Sequence, residues 1–149
     1  MADLKAELKA ALKEAMKNKD NQRRDVIRLV QSAIKQVEVD EQKELSSDEV
    51  VALIQKEAKK RRESIADYEQ AGRPEMAESE RAELAVLEDF LPKQLSRAEV
   101  AAIVEEVIAQ TGATSSKEMG KVMGPVMARV KGVADGKLVN EIVREKLND

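Results

Sequence analysis

Apolar residues in this chain return every three or four positions, over stretches long enough for helices. No useful segment shows the single alternation of a strand face. Leu4, Leu8, Leu12 and Met16 form an i+4 row that predicts a first helix over residues 3–18. Asp20 suits the cap of a second, in which Ile27, Val30, Ile34 and Val37 step by three, four and three, and which runs to about Glu44. Ser46 with Glu49 spells a capping box for a third helix, with Val50, Ile54, Ala58, Ile65 and Tyr68 on one side and Gly72 as its stop. Pro74 fits the first turn of a fourth, whose apolar set is Ala77, Leu84, Leu87 and Leu91 and which Pro92 ends.

Pro92 to Leu95 reads as a boundary. Beyond it Ser96 and Glu99 form a second capping box, launching a helix with Val100, Ile103, Val104, Val107 and Ile108 inward and Gly112 at its end. A third box, Ser115 with Glu118, is expected to start a helix in which Met119, Met123 and Met127 fall at i, i+4, i+8 as core filler. Pro125 has no N–H for the carbonyl of Lys121, so Gly124-Pro125 is predicted to kink or divide that helix. Asp135 caps a last helix bearing Leu138, Val139, Ile142, Val143 and Leu147. The fold class is therefore all-α: an N-terminal subdomain of about four helices, residues 1–94, then a small C-terminal three-helix bundle, residues 95–149.

Composition narrows the chemistry. A chain of 149 residues buries roughly 70% of its unfolded surface, enough for a core without crosslinks. With one Phe, one Tyr and no Trp, that core has to be aliphatic. Cysteine and histidine are both absent, which removes Cys/His zinc sites, thiol chemistry and every catalytic dyad or triad that uses imidazole. No phosphate loop, dinucleotide fingerprint, nucleophile elbow or calcium loop occurs. Acidic pairs such as Glu105-Glu106 and Asp40-Glu41 are adjacent in sequence, so on a helix they diverge. No catalytic residue, cofactor or metal is expected. No apolar run has the length of a membrane span and no secretory h-region is seen, so no membrane partner is expected and the expected location is the cytoplasm.

Charge is shared unevenly. Residues 1–95 carry 18 basic and 21 acidic side chains, and residues 96–149 carry 8 of each. Within residues 117–137, five cations (Lys117, Lys121, Arg129, Lys131, Lys137) face two acids, Glu118 and Asp135. Gly120 and Gly124 lie one turn apart in the same segment, with Gly132 beyond. Glycine inside a helix costs about 1 kcal/mol relative to alanine, so close backbone approach is the natural reason for the pair. A neighbouring helix or a phosphate backbone would each serve. The row Lys5, Lys9, Lys13, Lys17 reads as a solvated flank, diluted by Glu7 and Glu14. In the cluster Lys56, Lys59, Lys60, Arg61, Arg62, the third residue from the end of that run, Lys60, joins Lys56, Lys59 and Arg62 as a candidate phosphate grip or a set of structural ion pairs, while Arg61 falls on the apolar stripe with its stem buried and its head paired.

Several motifs occur in order over nearly the whole length: Lys56-Glu57-Ala58-Lys59-Lys60-Arg61-Arg62-Glu63-Ser64, Tyr68-Glu69-Gln70-Ala71-Gly72-Arg73, Leu91-Pro92-Lys93-Gln94-Leu95, Met119-Gly120-Lys121-Val122-Met123-Gly124 and Lys131-Gly132-Val133-Ala134-Asp135-Gly136-Lys137. Through them the chain resembles the YqeY family, the stand-alone relative of the tail of GatB. It departs at Val133, where the family pattern has Arg or Lys. The resemblance implies an all-helical module that contacts the tRNA body without a catalytic centre of its own. GatB belongs to a glutamine-dependent amidotransferase acting on misacylated tRNA, with its chemistry in another domain; hence a family label of carbon–nitrogen ligase with glutamine as amido donor, which no residue pattern here supports. Related modules are appended to some glutaminyl-tRNA synthetases. On this reading the partner is tRNA, held by Lys121, Arg129, Lys131 and Lys137 with Gly120, Gly124 and Gly132 permitting approach, and by Lys56, Lys59, Lys60 and Arg62 as a secondary set. Near-absence of aromatics favours backbone and shape over base stacking. The alternative is a helical adaptor for an aminoacyl-tRNA synthetase or an amidotransferase subunit, without RNA contact.

Overall fold

Short polar side chains at the helix starts set most of the architecture. In the computed structural model, which describes residues 3–148, the Asp3 carboxylate accepts from the Lys5 N–H at 3.1 Å and opens α1 (Leu4–Lys17). Asp20 accepts from the Arg23 N–H at 3.1 Å and opens α2 (Asn21–Glu41). Helix α2 stops three residues short of the expected Glu44, because Gln42 turns left-handed at φ 54° and the Glu38 carboxylate accepts from the Leu45 N–H at 2.8 Å. Both halves of the Ser46/Glu49 box form at the start of α3 (Ser47–Gln70), and Gly72 takes φ 71° just past its end. Pro74 is the first residue of α4 (Pro74–Glu88), which ends before Leu91; Leu91 reaches the core from the following turn.

The second capping box also forms, Ser96 with Glu99, opening α5 (Arg97–Thr111); Gly112 closes it left-handed at φ 71°. The third does not. Ser115 is extended and caps nothing, the Glu118 carboxylate accepts from the Thr114 N–H at 2.9 Å instead, and a single 3₁₀ turn, Ser116–Glu118, precedes α6 (Met119–Val130). Nor does Gly124-Pro125 divide α6, which runs through Pro125 unbroken. Pro125 lies on the solvent side, where water can solvate the Lys121 carbonyl that the proline leaves without a donor. Asp135 accepts from the Lys137 N–H at 3.3 Å and starts α7 (Gly136–Leu147). The described residues hold seven α-helices and no strand.

The chain divides into two compact units, Met1–Leu91 and Pro92–Asp149. The first buries Leu8, Ile27, Val30, Val50, Ile54 and Leu87 from α1 to α4. Arg61 of α3 lies beside Glu80 and Glu83 of α4, each at 3.4 Å, with its stem inward as its place on the apolar stripe predicts. The second unit wraps α5, α6 and α7 around Val104, Val107, Val122, Val126, Val139 and Ile142. No aromatic ring enters that core, as the composition requires.

Candidate nucleic-acid interface

Helix α6 has two apolar rows, and valine, not methionine, takes the core. Val122, Val126 and Val130 are fully buried, whereas Met119, Met123 and Met127 are half-buried along one edge of the same cluster. With 100° per residue, that orientation fixes the rest of the helix. Gly120, Gly124 and Ala128 follow the methionine edge round to solvent, and Lys121 stands beside them. A Cβ added at Gly120 or Gly124 would meet nothing within 4 Å. The pair therefore does not serve the approach of a neighbouring helix of this chain. The backbone there is bare.

The two glycines have different local reasons. Gly124 precedes Pro125, and any side chain before proline clashes with the ring in helical conformation, so glycine eases that peptide into the helix. Gly120 has neither a proline after it nor a crowded neighbour. Gly132, in the turn between α6 and α7, is explained by its backbone: φ is 84°, and its carbonyl accepts from the Gln94 amide at 3.1 Å. Beside it Val133 is half-buried against the C-terminal core, and its carbonyl accepts from the Leu95 N–H at 2.8 Å. That packing gives an aliphatic residue a use at a position where the resemblance leads to the expectation of a cation.

The cations separate into two groups. Arg129 lies on the flank of α6 facing α5, about 160° round the helix from Gly120 and Gly124 taken to their mean direction. Its guanidinium pairs with Glu106 at 2.8 Å. Lys146 pairs with Glu105 at 2.6 Å, and Arg97 with Glu145 at 2.7 Å and Glu141 at 3.5 Å, so Glu105 of α5 and Glu141 and Glu145 of α7 are served by these residues. Lys117, Lys121, Lys131 and Lys137 are exposed and enter no ion pair among the described residues. Lys131, at the end of α6, shares the mean angular position of Gly120 and Gly124, about three turns from the first and two from the second; Lys121 and Lys131 are about 15 Å apart along the axis. Lys137 opens α7 across the turn from Lys131. Lys117, in the 3₁₀ turn, belongs to the basic segment but lies outside the predicted contacts; its charge is legible in the sequence and its lack of an ion pair among the described residues is not.

The secondary set is less coherent. Lys56 and Lys60 share one edge of α3, Lys59 is exposed on the next, and Arg62 lies half-buried about 160° round from Lys60. Lys60 reaches Glu57 at 3.5 Å. Among the described residues no group of three or more acidic side chains is placed to hold a metal ion, and no helix is long and apolar enough to cross a membrane.

Taken together, the described residues form two all-helical units, the second of which carries an exposed face of glycines and lysines. The family model described as YqeY-like protein matches residues 5–147, so the chain belongs to the YqeY family. No curated protein matches the chain in sequence.

Proposed function

We propose that the second unit binds folded RNA of the tRNA class through the exposed face of α6 and the α6–α7 turn. The observation that carries this reading is the bare backbone at Gly120 and Gly124 beside lysines without acidic partners. A polyanion needs unneutralised cations and a surface it can approach to main-chain distance, and this face supplies both. The Lys121 carbonyl, which receives no N–H from Pro125, adds an acceptor of the kind a ribose 2′-hydroxyl satisfies. Lys121, Lys131 and Lys137 are the principal contacts, with Lys117 alongside. Arg129 remains in the set only by exchanging Glu106 for a phosphate. The resemblance to the GatB tail supports tRNA over other folded RNA, and the module acts by binding rather than by amide transfer.

A titration of the protein with a folded tRNA transcript at several salt concentrations tests this. Replacing Lys121→Glu and Lys131→Glu together is expected to weaken binding strongly at low salt. The logarithmic salt slope should fall by roughly 1.4–1.8, from about 0.7–0.9 per phosphate contact. Equal affinity and slope for variant and wild type would reject these lysines as contacts.

A further inference from the structure

Helices α1 and α2 form a hairpin, and two contacts fix its register: Lys5 reaches Glu38, and Arg28 donates to the Met16 sulfur at 3.9 Å. The helices therefore run antiparallel, with Lys9 opposite Lys35 and Lys13 opposite Gln31. At 100° per residue, Lys9 and Lys13 continue the flank of α1 that Lys5 turns to α2. Arg28, Gln31 and Lys35 continue the flank of α2 that Glu38 turns to α1. Lys9, Lys13, Arg28 and Lys35 are thus exposed cations on the two banks of one seam, spread over about 10 Å along the axes. A dent of about 170 Å³, lined by Lys5, Leu8, Gln31 and Ile34, lies beside them.

The acids nearby are matched or lie elsewhere. Lys5 takes Glu38, and Arg24 takes Asp25 at 2.9 Å. Asp3 and Glu44 act on Lys5, at the far end of the seam from Arg28. Glu7 and Glu14, which dilute the lysine row in the sequence, lie about 140–160° round α1 from Lys9. From Lys9 to Arg28 the seam therefore carries four cations that enter no ion pair among the described residues.

The seam lacks a continuous apolar stripe. Leu4, Leu8, Ile27 and Ile34 are spent in the first core, and the exposed Met16 and Val39 stand at opposite ends, about 16 Å apart along the axes. A lipid surface or an amphipathic helix needs such a stripe. A nucleic-acid backbone needs only fixed cations at its phosphates. We infer that the α1–α2 seam is a second RNA-contacting surface, in which Lys9, Lys13, Arg28 and Lys35 take phosphates of a backbone laid along the hairpin. The Gln31 amide between them offers a donor to a ribose or phosphate oxygen. The choice of RNA as the polyanion rests on the function proposed above, while the surface shares no residue with the α6 face.

Titrating the full chain with a folded tRNA transcript at several salt concentrations tests the two surfaces separately. Lys9→Gln/Lys35→Gln is expected to lower the logarithmic salt slope by roughly 1.4–1.8, the loss of two phosphate contacts. Glutamine has nearly the helix propensity of lysine, so the circular dichroism spectrum should be kept. Arg73→Gln/Arg81→Gln, which removes the same charge elsewhere in the first unit, should leave the slope unchanged. An unchanged slope for Lys9→Gln/Lys35→Gln, or an equal fall in both double variants, overturns the inference. Tighter binding of polyglutamate than of tRNA overturns it in favour of an acidic protein. If Lys121→Glu/Lys131→Glu matches wild type while Lys9→Gln/Lys35→Gln does not, the α6 reading fails and this one stands. Wild-type protein that binds no tRNA at any salt ends both.

Discussion

Gly120 separates what the free protein needs from what a ligand needs. Nothing in the fold crowds its position and no left-handed backbone demands glycine there. Gly120→Ala is therefore expected to raise stability by about 0.5–1 kcal/mol, read from urea denaturation, because alanine is the better helix former. The same methyl group stands on the face assigned to RNA, so tRNA affinity should fall. A stabilised variant with unchanged affinity would remove the glycine face from the interface. Individual side chains also show where sequence reading stops. Asp3, Asp20, Ser46, Ser96 and Asp135 act within three residues of themselves, and their capping roles were legible. Arg129 and Glu106 are 23 positions apart on different helices, and no local rule joins them. Nor does periodicity say which of two adjacent i+4 rows, Met119-Met123-Met127 or Val122-Val126-Val130, meets the core.

At the scale of elements, helices were legible because their ends are marked chemically, and the misjudged ends are those where a tertiary contact intervened. Helix α2 stops at Glu41 because Glu38 turns back to serve both the Leu45 N–H and Lys5 of α1. This latch carries a pH signature. The Lys5 hydrogen bond, and then the Leu45 N–H, hold the Glu38 carboxyl below its ordinary value of 4.5. The Lys43 contact does the same for Glu49. A carboxyl that keeps its charge to lower pH when folded binds fewer protons folded than unfolded. Its contribution is thus full above about pH 4.5 and is lost as acid carries the pH down through the folded value. Lys5, raised by Glu38, contributes below its ordinary 10.5 and loses that contribution as alkali carries the pH up through its folded value. Denaturation midpoints measured across pH 3–7 should decline below about pH 4.5, and Glu38→Gln should flatten part of that decline. An unchanged acid limb in the variant would mean that the latch does not contribute.

Across the whole molecule, two hydrophobic clusters, one drawn from α1 to α4 and one from α5 to α7, are each complete without residues from the other. A fragment of residues 92–149 is accordingly expected to show helical circular dichroism and a cooperative melt of modest stability, as its small size dictates. A fragment that is unfolded in buffer would show that the second core depends on the first unit. The all-α class followed from periodicity and capping, whereas the candidate interface was only half legible. Lysines and glycines could be counted in the sequence, but their sorting into free and paired groups arises from three helices meeting in space. The face proposed to bind RNA is tested most directly by amide chemical-shift mapping, with isotope-labelled protein titrated by folded tRNA. The account predicts shifts concentrated at Gly120, Lys121, Gly124, Lys131 and Lys137. Shifts confined to α1–α4, or none at saturating RNA, would contradict it.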